Sequence, residues 1–179
     1  MKRATARTVA GASLVAGAAL TILGFVTAKG LFPGYSTAEQ TISTLGSGRG
    51  TPGSRLVFNA SMVLAGLLVL VATYSLNQAY RRRLLTAIFG LLGVGIVGVG
   101  VFQTDSAASH LLGAFLAFGG LGAAALVVAA WIRGVYGAVS VLLGGLELPA
   151  FGLFLAVGGG PFWGSAASSA GSRIWGWCG

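Results

Sequence analysis

The sequence predicts an all-α protein: a polytopic transmembrane helix bundle with five clear spans and a short amphipathic helix in the first outer loop. Three observations carry this expectation. Only 8% of the 179 residues are charged while 55% are hydrophobic, and the mean hydropathy is +0.88. Five apolar stretches, at about 8–28, 55–75, 84–102, 110–131 and 134–157, reach the ~20 residues that cross about 30 Å of hydrocarbon. None shows the alternation of a membrane β-strand, and helices and closed barrels are the only backbones that satisfy themselves in lipid. Soluble domains carry roughly 25% charged residues. Three acidic and eleven basic residues are too few to solvate a globule of this size. The composition excludes a secreted domain, a disordered chain and an ordinary cytosolic enzyme.

A net charge of +8 does not point to nucleic acid, because the cations do not form one solvated face. Arg81, Arg82 and Arg83 end one apolar run, and Lys2, Arg3 and Arg7 precede another. This is the positive-inside pattern. With the N-terminus cytoplasmic in a cell membrane, seven Lys and Arg lie inside and four (Lys29, Arg49, Arg55, Arg173) outside. One cysteine, Cys178, makes neither an internal disulfide nor a cysteine metal cluster. No cofactor and no metal site are expected, and membrane lipids are the expected partners.

Span one has a second reading. A basic start, an apolar run and Val26-Thr27-Ala28 resemble a signal peptide. The run of about 20 residues is longer than the usual 7–15, which favours an uncleaved span. The loop at about 29–54 exceeds an ordinary connector. In it Pro33-Gly34 marks a turn, and Ser36-x-x-Glu39 has capping-box spacing. Ala38, Ile42 and Leu45 follow at i, i+4 and i+7, with Gly46 as a stop. The expectation is an amphipathic helix over about 37–45, with Glu39 either a cap or a binding residue.

Span two carries Asn59-Ala60-Ser61, formally a glycosylation sequon. Its position inside a span makes an Asn hydrogen-bonded to a neighbouring helix the better reading. In span three, Gly93-x-Gly95-x-x-Gly98 matches a dinucleotide fingerprint but lacks the strand–turn–helix context. Gly90, Gly93, Val97 and Gly100 form a small-residue stripe, as do Gly113, Ala117, Gly120 and Ala124 in span four. Such stripes let membrane helices approach closely. They predict a close hairpin of spans three and four, and could equally pack between copies in a homo-oligomer.

Asp105, Ser106, Ser109 and His110 share the loop before span four. A local Ser-His-Asp triad is disfavoured, since triads are defined by geometry. Two readings stand: an Asp105–His110 pair, with His110 a general base oriented by Asp105, or a cap beside an interfacial histidine. Glu147 lies thirteen residues into span five, roughly 20 Å from its inner end. An ionisable residue there is a functional candidate by default. Pro149 frees the carbonyl of Gly145 beside it. The alternative is a protonated, hydrogen-bonded carboxyl. From these groups come three function classes: a non-enzymatic membrane protein binding a lipid or partner through its outer polar cluster, including Glu39, Asn59 and Glu147; a lipid-directed hydrolase or transferase using His110 and Asp105; and a small transporter using Glu147.

One ordered set of motifs adds to this reading. It runs from Phe32-Pro33-Gly34-Tyr35-Ser36 through Thr41-Ile42-Ser43-x-Leu45-Gly46 to Phe58-Asn59. Val99-Gly100-Val101-Phe102 with Asp105, then His110-Leu111, complete it. The order resembles the domain of unknown function 998 family of small multi-span membrane proteins of archaea and bacteria, over about residues 8–157. The resemblance implies six spans and no agreed activity. It also implies a proline after Phe102, where this chain has Gln103. Domain organisation is then a bundle over 1–157 and an atypical Gly/Ser/Trp tail over 158–179, with Trp163, Trp175 and Trp177 suited to an interface. A sixth span lost by frameshift or truncation near Gly160 would account for the change in composition.

Overall fold

The computed structural model describes residues 2–102 and 107–156. Five helices fill them: α1 (Arg3–Gly30), α2 (Pro52–Tyr80), α3 (Arg83–Val101), α4 (Ala107–Ala129) and α5 (Val135–Ala156). All five are long and apolar enough to cross a membrane. α1 and α2 exceed the expected spans, with 28 and 29 residues. At 1.5 Å per residue each is about 40 Å long, so both outreach the hydrocarbon layer. The tail over 158–179, with its tryptophans and Cys178, lies outside the described residues, as do Gln103 and Asp105.

Each helix packs extensively on its chain neighbours, in the order α1–α2–α3–α4–α5. Small residues make the seams. α1 buries Ala6, Ala10, Ser13, Gly17, Gly24 and Ala28, a stripe at helical spacing. A Cβ on Gly17 would sit 3.4 Å from the Ala65 carbonyl oxygen of α2, and one on Gly24 would strike Ser61.

The two stripes picked out in spans three and four do not meet each other. On α3, Gly93, Val97 and Gly100 face α2, against Leu70, Gly66 and Met62. Gly95 and Gly98 on the opposite side receive the α4 stripe, against Ala117 and Gly113. The α3–α4 hairpin is close, but through glycines that the dinucleotide-like spacing had only counted. The physical reason is the abundance of glycine: five in the nineteen residues of α3 make two faces small.

Two apolar clusters complete the core. Val69, Leu85, Phe89, Leu92 and Ala124 join α2, α3 and α4, with Leu14 of α1 against them. Ala28, Leu45, Phe58 and Met62 join α1, α2 and the α1–α2 loop. The arginine-rich end is closed by cation–π contacts, with Arg7 5.2 Å from the Tyr80 ring and Arg82 5.0 Å from the Trp131 ring. Arg81 ends α2 in the left-handed region at φ 52°, its N–H donating to the Asn77 carbonyl. Gly134, at φ 81°, makes the turn into α5.

The α3–α4 seam yields a matched pair of substitutions. Gly95→Ala should lower stability by about 1–3 kcal/mol, because the new Cβ meets α4 backbone. Gly119→Ala, on the same hairpin but with open space around it, should stay within about 0.5 kcal/mol of wild type. Thermal unfolding in detergent measures both.

Candidate functional site

The α1–α2 loop is a folded cap on the bundle. Its expected amphipathic α-helix over 37–45 is replaced by turns through 37–40 and a five-residue 3-10 helix, Ile42–Gly46. Nine residues are too few for an isolated α-helix to sustain itself, and tethers to α2 decide the conformation. Ser54 Oγ donates to the Leu45 carbonyl at 2.9 Å, and Asn59 Nδ2 donates to the Gly46 carbonyl at 3.1 Å. Leu45 is fully buried, and a Cβ on Gly46 would meet Phe58 and Asn59. Thr51 is a double anchor: its hydroxyl donates to the Leu31 carbonyl at 2.8 Å and accepts from Ser54 N–H at 3.1 Å, capping α2.

The capping-box reading of Ser36 and Glu39 is corrected in its partner. The Ser36 N–H is taken by Gln40 Oε1 at 3.4 Å, and Gln40 N–H donates back to the Ser36 carbonyl at 2.9 Å. Glu39 is exposed, free of that capping duty. Asn59 is likewise corrected: its amide serves a loop carbonyl, not a neighbouring helix.

Tyr35 was not weighed by sequence reasoning, although it stands in the Phe32–Ser36 motif. Its ring packs with Phe32, centroids 5.8 Å apart, on the cluster of Ala28, Leu45 and Phe58. Its hydroxyl is shut off from solvent and finds no hydrogen-bond partner among the described residues. Burial pushes its pKa up from the ordinary 10.0.

His110, half-buried near the start of α4, donates Nδ1–H to the Phe102 carbonyl at 2.7 Å, across the α3–α4 connection. That bond holds the imidazole and leaves Nε2 as the basic nitrogen. Asp105, the partner expected for this ring, lies outside the described residues. Glu147 is half-buried on α5, where a Cβ on Gly122 of α4 would lie 3.4 Å from its Cγ. It has no hydrogen-bond or ion-pair partner among the described residues. α5 runs unbroken through Pro149. Among the described residues, no three His, Cys, Asp or Glu side chains come together as a metal-binding group.

A cleft opens beside the cap. It has a volume of about 650 Å³ and is lined by Pro52, Arg55, Leu56, Asn59, Ala60, Val63, Leu64 and Gly100. Its origin is a difference in helix length. Gly100, near the end of α3, packs against Asn59, Met62 and Val63 of α2. The first seven residues of α2, 52–58, therefore extend about 10 Å beyond the level at which α3 packs. The loop covers one flank of this projection and the other is the cleft. Among the described residues, Arg55 and Asn59 supply its polar side chains and mainly aliphatic groups the rest. A second cleft of about 440 Å³, between α3, α4 and α5, has an apolar lining among the described residues, with Phe115 and Phe151 in it.

The fold and these clefts define a multi-pass, all-helical membrane protein. The family described as Protein of unknown function (DUF998) matches residues 15–178, and the chain belongs to that family. The match takes in most of the tail beyond α5. No curated protein and no solved structure matches the chain.

The Tyr35 hydroxyl gives a direct test of the cap. A buried, unpartnered hydroxyl costs about 1–3 kcal/mol, so Tyr35→Phe should leave stability unchanged or raise it. Its raised pKa means that the folded state holds the phenolic proton more tightly. That contribution is complete below pH 10 and lost as pH rises above it. Ultraviolet titration of wild type against Tyr35→Phe should show one tyrosine ionising above the ordinary range.

Proposed function

We propose that this is a non-enzymatic integral membrane protein that binds a membrane lipid in the cleft between α2 and the end of α3. The observation that carries the reading is the cleft's division of chemistry. Leu56, Ala60, Val63 and Leu64 offer an aliphatic wall to an acyl chain, and Arg55 and Asn59 stand as polar groups toward the loop end. Ligand sites are characteristically apolar with a few placed polar groups. The folded cap supports it further, because tethered carbonyls fix the cleft's rim. A homo-oligomer is less favoured as the role of the small stripes, since those on α1, α3 and α4 are spent on seams within the chain.

A second reading, a lipid-directed hydrolase or transferase, draws on the His110–Phe102 hydrogen bond, which orients the ring as a base requires. The transporter reading has only Glu147 in its favour, half-buried and without a partner among the described residues.

Native mass spectrometry of the protein released from detergent tests the first reading. One lipid should remain bound per chain. Ala60→Trp, which fills the wall, should remove it, whereas a bare wild-type protein overturns the proposal. Turnover of an added lipid that disappears in His110→Ala would move the assignment to the enzyme.

The orientation belongs to the same proposal: N-terminus cytoplasmic, cap and cleft on the outer side, supported by the seven-to-four distribution of Lys and Arg. In a Cys178→Ser background, Thr37→Cys should react with an impermeant thiol reagent in intact cells and Lys2→Cys should not. The reverse pattern would invert the topology.

A further inference from the structure

We propose that residues 157–179 fold back over the second cleft, between α3, α4 and α5, with Phe162 and Trp163 seated against Phe115 and Phe151. This cleft holds about 440 Å³ between Ile88 and Leu91 of α3, Phe115 and Leu116 of α4, and Phe151 and Leu155 of α5. Its cause is the arrangement of the helices in a row, in which α5 packs extensively on α4 alone. Among the described residues, 6% of the most apolar window of α5 is buried, against 44% in α2. Gly144 of α5 meets the α4 backbone, but a Cβ on Gly152, in the cleft, would meet nothing described within 4 Å.

The chain that follows α5 names the occupant. Leu155, on the rim of the cleft, is one residue from the end of α5, and 23 residues come after Ala156. They begin Val157-Gly158-Gly159-Gly160-Pro161, and glycine and proline are the residues that reverse a chain. Phe162 and Trp163 come next. The six residues from Ala156 to Phe162 reach at most about 20 Å extended. Phe151 lies five residues back along α5, about 8 Å. A chain that reverses over 158–161 therefore brings both rings level with Phe151.

Composition agrees with this placement. Residues 157–179 hold one charged side chain, Arg173, and three of the four tryptophans. Aromatic rings bury large apolar areas and pair edge to face or offset. Phe151 already packs with Phe115 and Phe118, centroids 6.1 and 5.5 Å apart, so the cleft offers rings to such a partner. The family match runs to residue 178, so the family's shared unit takes in the tail as well as the bundle. A second copy would have to arrive by diffusion, whereas the tail is tethered at the rim, at an effective concentration on the order of millimolar.

The test uses the full chain with Cys178→Ser and two introduced cysteines, oxidised in native membranes. Gly164→Cys is paired either with Gly152→Cys, in the cleft, or with Leu153→Cys, its exposed neighbour outside the lining. The two closed loops differ by one residue, so an undocked tail would join both at nearly the same rate. Docking should make the Gly152 pair close faster by about tenfold, the scale of a positioned over a diffuse partner. Leu155→Cys, also in the lining, should behave as Gly152→Cys does and stands in should that variant fold poorly. Adding Phe162→Ser and Trp163→Ser should bring the rates together. A preference that survives loss of both rings would overturn their role as the anchor. Equal rates with the rings intact, the pattern of a cleft filled by lipid, would overturn the docking itself. Disulfides joining two chains through residue 152 would do the same and place a second copy there.

Discussion

The structure depends on backbone-to-backbone approach at α3. Where lipid surrounds the helices there is no hydrophobic drive to press them together, so close packing must come from contact area. α3 obtains that contact on two opposite sides. Gly93 and Gly100 let it meet α2, and Gly95 and Gly98 let it meet α4. α1 then joins α2 through its own small stripe, and α5 joins α4 through Gly122 and Gly144. The consequence is a row of helices joined by successive seams. Moving one seam shifts everything beyond it, and α3, whose glycines meet both α2 and α4 at backbone distance, has little room for added volume on either side.

The loop end obeys a different constraint. A non-helical segment at the surface of a membrane bundle must satisfy its own backbone polar groups. Here side chains from α2 and its cap do so: Ser54 for Leu45, Asn59 for Gly46 and Thr51 for Leu31. Each is a short polar residue at the start of α2 or one or two turns in, where it can reach the chain crossing above. The buried Leu45 side chain fills the space that these bonds create. The same bonds hold the rim of the cleft, because Asn59 belongs to both.

What could be read in advance follows from how local each signal is. The spans were legible because a 20-residue apolar run has few other fates. Involvement of the loop was legible from its length, Pro33-Gly34 and the polar residues around it. Its conformation was not, since i, i+4, i+7 spacing cannot reveal that two carbonyls at 45 and 46 are claimed by residues of the next helix. The faces of α3 were hidden for a related reason: with five glycines every register looks small. Tyr35 was invisible as a buried hydroxyl because an aromatic in a loop reads as an interfacial ring. Glu147 was legible as an exception to composition, and α4 packs beside it through Gly122. Asp105 and the tail lie outside the described residues.

The two ends of the row divide the chemistry between them. At the arginine end, cations are used in holding helices together, with Arg7 on Tyr80 and Arg82 on Trp131. Removing the charge there removes a packing contact as well. At the loop end, hydrogen bonds to backbone carbonyls do the holding, and no described cation–π contact forms. Arg55 lines a cleft that exists because α2, at 29 residues, outreaches α3, at 19. Shortening α2 to match α3 would abolish the cleft and leave the glycine seams intact. The extra length of α2 therefore serves the cap and the cleft, while the bundle itself is held below them.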